Sequence, residues 1–247
     1  MQNARHVMKM ACILFAEAVI VIADILWFKL TRTSWLSLAA ILFGIVAVMM
    51  VGQRRSGEFL DFPHLSERAM LYVVFTFGEM IIAISSYFEG GFSLRGTYFA
   101  MMTFLIVAGL FLTYGVFYDQ IIDRDKETNG LMYMLLHIGI IFSLNNITNG
   151  LEFMREEEID LIPKILFLVI SLVFYFGFLL ALGIGHARAR CRKYDGLCRM
   201  TSAAGAVFIL LMFLLRKYMV VNIALSVLFV FAMFGMIYRY GKKISRL

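Results

Sequence analysis

Proline and charge are what this 247-residue sequence has least of: 2 prolines, and 16% charged residues against 62% hydrophobic ones. Water-soluble domains carry about 25% charged and about 45–50% apolar residues, so this composition excludes a soluble globular chain. No soluble domain, long linker or low-complexity tract is visible; the longest connections, around 53–63, 118–129 and 152–160, run to about a dozen residues. Cysteine occurs three times, at Cys12, Cys191 and Cys198, an odd set without metal-ligand spacing that predicts reduced, ordinary thiols. There is no H-E-x-x-H, no zinc-like Cys/His cluster and no G-x-S-x-G elbow. "DKETNGLMYMLL" (125–136) imitates the first half of a calcium loop with Gly130 in sixth place, yet Leu136 stands where the bidentate Glu belongs. "DGLCR" (195–199) begins like a lipid-alcohol phosphotransferase signature, but no acidic residues follow it through the next span. These absences point away from an enzyme, a metal site and a cofactor.

What the sequence does have is long apolar runs, with a mean hydropathy of +0.84. They are continuous and do not alternate, so they read as helices crossing about 30 Å of hydrocarbon and not as barrel strands. The expected fold is all-α: a polytopic transmembrane helical bundle forming a single integral membrane domain, residues 1–247. Eight spans are expected, at about 8–28, 34–52, 64–88, 95–117, 130–151, 161–185, 198–215 and 219–239. The first run contains Glu17 and Asp24 and ends at Trp27 and Lys29 without a small-residue cleavage site, so it reads as a span and not a signal peptide. With eight spans, 16 of the 23 Lys and Arg fall on the side of the N terminus, which predicts that both termini are cytoplasmic. The same asymmetry accounts for the net charge of +6 and makes "HARARCRK" (186–193) a loop beside anionic headgroups, so nucleic acid is not the expected partner.

Polar residues inside the spans carry the functional reading. Residues 11 apart on a helix differ by about 20° in direction and about 16 Å in height, which aligns Arg68 with Glu79 on the third span. Glu17 and Asp24 share a face of the first. On the fifth, His137, Asn145, Thr148 and Glu152 fall within an arc of roughly 80°, with Asn149 at its edge. An ionisable group at the bilayer centre costs about 2.5–3.5 kcal/mol unless it faces protein or water, so Glu17, Asp24, Glu79 and His137 are expected to converge on an interior polar cleft. Structural hydrogen bonding between helices is the competing reading, above all for Asn145, Thr148 and Asn149. "FAEAVIVIA" (15–23) also matches "FGEMIIAIS" (77–85) at an offset of 62 residues, as a parallel repeat placing Glu17 and Glu79 at one depth would.

His64-Leu65-x-Glu67-Arg68, a hydrophobic run and Gly78-Glu79, then Phe117-Tyr118-Asp119, then His137-x-Gly139 and Asn149-Gly150-Leu151-Glu152 resemble, in order, the motifs of the bacterial low-temperature-requirement A (LtrA) family. The resemblance covers roughly residues 20 to 240 in layout, with its strong motifs between 64 and 152. Family members usually open with a span of the type E-L-F-F-D-L-V-F-V, for which Phe15–Val21 is a weak counterpart, so the chain looks like a compact or N-terminally shortened member. The resemblance implies a bacterial integral membrane protein tied by its family name to growth in the cold, and it directs attention to His64, Arg68, Glu79, His137 and Glu152.

The expected function is a transporter or ion-conducting protein for a small cation, a proton or a small proton-coupled solute. In it Glu79 titrates or coordinates, Glu17, Asp24, His137 and Glu152 assist, and Asn145 and Asn149 supply neutral oxygens. His64, Glu67 and Arg68 shape a cytoplasmic mouth or hold it structurally. The alternative is a non-transporting scaffold or sensor in cold adaptation. Partners are the lipid bilayer, the transported species and a second copy of the chain; the location is a bacterial-type inner membrane, crossed many times.

Overall fold

The computed structural model describes residues 2–31, 36–53, 61–88, 93–126, 128, 130–155, 160–187 and 192–244. Its helices are α1 (Gln2–Thr31), α2 (Leu36–Gln53), α3 (Phe62–Ile84), α4 (Leu94–Val116), α5 (Leu131–Arg155), α6 (Leu161–His186), α7 (Arg192–Leu214) and α8 (Met219–Ile244). A 3₁₀ turn, Ser85–Phe88, prolongs α3, and a π turn, Phe117–Ile121, prolongs α4. Among the described residues the only β pairing is an isolated bridge between Ile122 and Ala187. The chain is therefore all-α. Seven helical segments, beginning at Ala11, Phe62, Leu94, Leu131, Leu161, Tyr194 and Met219, are long and apolar enough to cross a bilayer among the described residues. Such lengths follow from the solvent, since a backbone in hydrocarbon must satisfy its own N–H and C=O groups and an uninterrupted helix does so.

Chain contacts divide the protein into two compact units. The first comprises Met1–Leu60 and Glu127–Leu131, the second Asp61–Lys126 and Met132–Leu247. Of the basic loop 186–193, residues 188–191, with Cys191, lie outside the described residues. The thiols of Cys12 and Cys198 are free.

In the first unit α1 and α2 pack on each other, and both acidic residues of α1 serve that packing. Asp24, only 3% exposed, accepts a hydrogen bond from the backbone N–H of Leu36, 3.1 Å away, at the first residue of α2. A helix start offers unpaired N–H groups and a positive dipole end, so a carboxylate there is satisfied without a ligand. Glu17 lies across Gly44 of α2; a Cβ at that glycine would stand 2.9 Å from the Glu17 Cδ.

In the second unit six helices surround an apolar core. Asp61 caps α3, its carboxylate accepting from the His64 N–H at 3.4 Å, with Pro63 in the first turn. Ser93 caps α4, accepting from the Gly96 N–H at 3.0 Å. One end of the unit gathers the starts of α3, α5 and α7 and the finishes of α4, α6 and α8, as Phe62 on Tyr133 and His186, and Tyr194 on Tyr240, demonstrate. At the other end the Tyr98 hydroxyl of α4 donates to the Val220 carbonyl of α8 at 2.9 Å. Along that contact Gly109 lets α4 approach α8, because a Cβ there would meet Val230 Cγ1 at 2.6 Å. Gly150 does the same for α5 on α6, where a Cβ would stand 3.3 Å from the Leu168 Cα.

Two outcomes test this packing. Gly109→Ala should destabilise the detergent-solubilised protein by about 1–3 kcal/mol through overpacking. The penalty should shrink when Val230→Ala is added, the two changes being non-additive in a thermal-melting cycle. Asp24→Ala should remove the α2 cap at a cost of about 0.5–2 kcal/mol, while Asp24→Asn, which keeps an acceptor, should lose less.

Candidate functional site

Most buried polar groups of the second unit are satisfied within their own helices. Thr76, Thr113, Ser143, Thr148, Ser171, Thr201 and Ser226 each donate to the carbonyl four residues earlier. Tyr175 donates to the Leu110 carbonyl at 2.9 Å and Tyr194 to that of Leu180 at 2.6 Å. The Ser and Thr bonds engage each hydroxyl's hydrogen within its own helix, while the two Tyr bonds tie neighbouring helices together.

A different arrangement occupies the end of the unit where α3, α5 and α7 begin. His137 on α5 is 1% exposed, with Nδ1 2.8 Å from the Tyr133 carbonyl and Nε2 3.1 Å from the Tyr114 hydroxyl of α4. A carbonyl only accepts, so Nδ1 carries a hydrogen; in the neutral ring Nε2 then accepts from Tyr114. The Tyr133 ring lies 4.2 Å, centroid to centroid, from His137 and 5.2 Å from His186 at the end of α6. Phe62, the first residue of α3, stacks on His186 at 5.5 Å and meets Tyr133 edge-on at 4.9 Å. Tyr114 stacks at 6.4 Å on Tyr118, over whose ring the Arg124 guanidinium sits at 5.1 Å. Two imidazoles and three phenols therefore run ring to ring from the core to the basic end of the unit. Within this stack the buried Tyr118 and Tyr133 hydroxyls and His186 Nδ1 have no hydrogen-bond partner. An unpaired buried polar atom costs about 1–3 kcal/mol, which makes these the atoms of the cluster best placed to receive a ligand, a water or a proton.

Local sequence explains the placement. Tyr114 and Tyr118, and likewise Tyr133 and His137, are spaced i,i+4 and share one helix face. The π turn at Phe117–Ile121 admits an extra residue, so Phe117, Tyr118 and Ile121 are all buried at the end of α4. Beyond it the chain is tied to α6 by the Ile122–Ala187 bridge, by Asp123 N–H donating to the His186 carbonyl at 2.8 Å, and by Lys126 Nζ donating to the Gly185 carbonyl at 2.7 Å.

Glu152 occupies a second polar spot toward the other end of α5. With Met80, Tyr87, Thr103 and Thr148 it lines a cavity of about 10 Å³, where Thr103 donates to the Tyr87 hydroxyl at 3.3 Å. That volume is the room of about one water. Fifteen residues of helix, roughly 22 Å, separate His137 from Glu152. Ile140, Leu144 and Ile147, all fully buried, fill the stretch between them.

The remaining residues singled out from the sequence are not brought to this cluster. Glu79 lies exposed on the outer face of α3 and not in the core of its unit. Asn145 and Asn149 are exposed on α5, whose buried arc, defined by Tyr133, His137, Ile140, Leu144, Ile147 and Leu151, turns away from them. Arg68 is exposed on α3, and exposed His64 stands 3.6 Å from Asp61 and 3.7 Å from Glu67 at the helix start. Glu17 and Asp24 belong to the other unit. Tyr114 and Tyr133 are not singled out from the sequence, and His186 reads there as part of the basic loop 186–193; the i,i+4 Tyr/Tyr and Tyr/His pairs are the signal that points to the cluster. Among the described residues no group of three His, Cys, Asp or Glu is placed to hold a metal ion.

The family follows from a comparison that spans nearly the whole chain: the model for bacterial low temperature requirement A protein (LtrA) matches residues 1–237. The chain belongs to the LtrA family. Neither the curated proteins nor the solved structures include a match to it. This LtrA protein is thus an integral membrane protein with several spans; of its motif residues, His137 is buried in the aromatic cluster and Glu152, half-buried, lines the small cavity.

Removing the unpaired hydroxyl with Tyr133→Phe should leave the melting temperature in detergent unchanged or raise it. Tyr114→Phe should lower stability by about 1–3 kcal/mol, because it strips His137 Nε2 of its donor.

Proposed function

We propose that this LtrA protein moves protons, or a small cation exchanged for them, across the bacterial cytoplasmic membrane through its second unit. His137, Tyr114, Tyr133 and His186 form the titrating centre at one end, and Glu152 serves the other. The supporting observation is the ring-to-ring histidine–tyrosine cluster, buried in the spans with the Tyr133 hydroxyl unpaired. A proton arriving at His137 Nε2 would oblige the Tyr114 hydroxyl to turn from donor to acceptor, so the pair can pass protons by rotation without moving a helix. The layer of Ile140, Leu144 and Ile147 separates the two polar spots and would act as a hydrophobic gate, conducting only when wetted. The excess of Lys and Arg on the side of the N terminus supports both termini, and hence the His186 end, facing the cytoplasm. We read the role as transport and not catalysis, because the sequence carries no nucleophile–base pair.

A second reading, a non-transporting scaffold or sensor, draws on the fact that both His137 nitrogens are already hydrogen-bonded. Flux separates the two. In proteoliposomes carrying an internal pH dye and an imposed potassium diffusion potential, the wild-type protein should acidify or alkalinise the lumen as the field dictates. His137→Gln and Tyr133→Phe should each reduce that flux at least about tenfold, the upper range expected of a lost proton-transfer group being larger still. Tyr133→Phe is the cleaner test, since it removes one oxygen and should not unfold the chain. Glu79→Gln should conduct as the wild type does. Equal flux in all four proteins, or none in the wild type, would remove the transport reading and leave the scaffold.

A further inference from the structure

The cluster makes no use of Glu79, and the outer face of α3 is where the fold leaves a charge unexplained. The inner face of this helix, Phe62, Ser66, Ala69, Val73, Thr76, Phe77 and Met80, is buried. The opposite face exposes Arg68, Leu71, Tyr72, Phe75, Glu79 and Ile82, with Phe75 at 66% and Ile82 at 71%. These positions repeat at three- and four-residue intervals, the spacing of a helix–helix seam. In the middle of the stripe stands Gly78, whose absent Cβ would meet nothing within 4 Å, so the backbone there is bare and open to close approach. Among the described residues neither Glu79 nor Arg68 has a hydrogen-bond or ion-pair partner. Eighteen residues into a 27-residue span, Glu79 is well inside hydrocarbon, where an outward carboxyl is costly unless something polar covers it.

We propose that two copies of the chain pair through this face of α3, about a two-fold axis along the membrane normal, crossing at Gly78 with their Glu79 carboxyls hydrogen-bonded to each other. A lipid tail offers no hydrogen bond, and an unrelated helix need not carry a polar group at that depth. A second copy inserted the same way carries one at the same depth by necessity. Two carboxyls a hydrogen bond apart cannot both ionise, so the pair holds at least one proton, and that proton is what makes the contact attractive. The charges at the helix start fit the same operation. Exposed Glu67 and Arg68 are adjacent, and a parallel two-fold contact sets each Glu67 beside the other copy's Arg68, giving two ion pairs from one self-complementary patch. The bare glycine supplies the close backbone approach on which helix pairs in lipid depend.

The pairing is independent of the transport reading and has its own measurement. Fluorescently labelled protein reconstituted at low density should bleach in two steps in most spots. Gly78→Leu should shift it to one step; the side chain enters open space within a single copy, so that copy stays folded. Glu79→Gln, able to hydrogen-bond across the axis as an amide, should keep two steps, and Glu79→Ala should lose them. After replacement of Cys12, Cys191 and Cys198 by serine, oxidation in membranes should cross-link Leu71→Cys, Phe75→Cys and Ile82→Cys into dimers, and Val73→Cys and Phe77→Cys not. One-step bleaching of the wild type, two-step bleaching of Gly78→Leu, or cross-links that close within one chain or to a different protein would each overturn the proposal.

Discussion

Hydrocarbon offers no hydrogen bonds, and this one deficiency organises the molecule. Backbone groups answer it by staying helical from one side of the bilayer to the other. Hydroxyls answer it by folding back on their own helix: from Thr76 to Ser226, six buried Ser and Thr and the half-buried Thr148 donate to the carbonyl four residues earlier. Tyr175 and Tyr194 reach across to the carbonyls of Leu110 and Leu180. Once these are set aside, few buried polar atoms remain unanswered among the described residues of the second unit, and three of them, the Tyr118 and Tyr133 hydroxyls and His186 Nδ1, sit in one aromatic stack. Both amide atoms of fully buried Asn222, at the start of α8, are unanswered as well, so the stack is the place where such atoms gather and not the sole one.

The fold was legible in the sequence because span length and apolarity depend on the solvent alone. The expected spans at 64–88 and 161–185 correspond to Phe62–Phe88 and Leu161–His186, and the seventh was placed late only because Tyr194 and Leu197 extend its helix into a stretch that begins with Arg192. The two irregular turns were not legible, since Phe117–Ile121 contains neither proline nor glycine and its π geometry comes from packing. The site was legible in part. Burial of His137 follows from the cost of imidazole in lipid, and that expectation describes where it lies. The same reasoning misdirects at Glu79, because it states that a charge must be covered and is silent on what covers it. Ser66 and Thr76 gave α3 an inner face of mixed polarity while Leu71, Phe75 and Ile82 made the outer face the more apolar, so pattern alone could not choose between them.

Asp24 shows the same limit from the other side. Two acids seven residues apart on α1 suggested a shared polar cleft, yet both lie against α2: Asp24 accepts from the N–H of Leu36, and Glu17 packs over the bare backbone at Gly44. A helical hairpin whose second helix starts in or near the membrane needs an acceptor for its first N–H groups, and a carboxylate supplied by the first helix is a sufficient reason for an acid there. Motif reading treats every intramembrane acid as a functional group; geometry sorts them by what they already bond.

Helix α3 is the element on which the two polar features of the second unit meet. Its first residue, Phe62, stacks on His186 and abuts Tyr133, and its far end brings Met80 and Tyr87 to the Glu152 cavity. The inner face of one rigid helix thus touches both polar spots, while its outer face carries Glu79. Close-packed interiors move between discrete arrangements and do not deform continuously, so a shift of α3 along or about its axis must be felt at both spots together. A contact that displaced α3 from its outer face would therefore reach the surroundings of His186 and of Glu152 together.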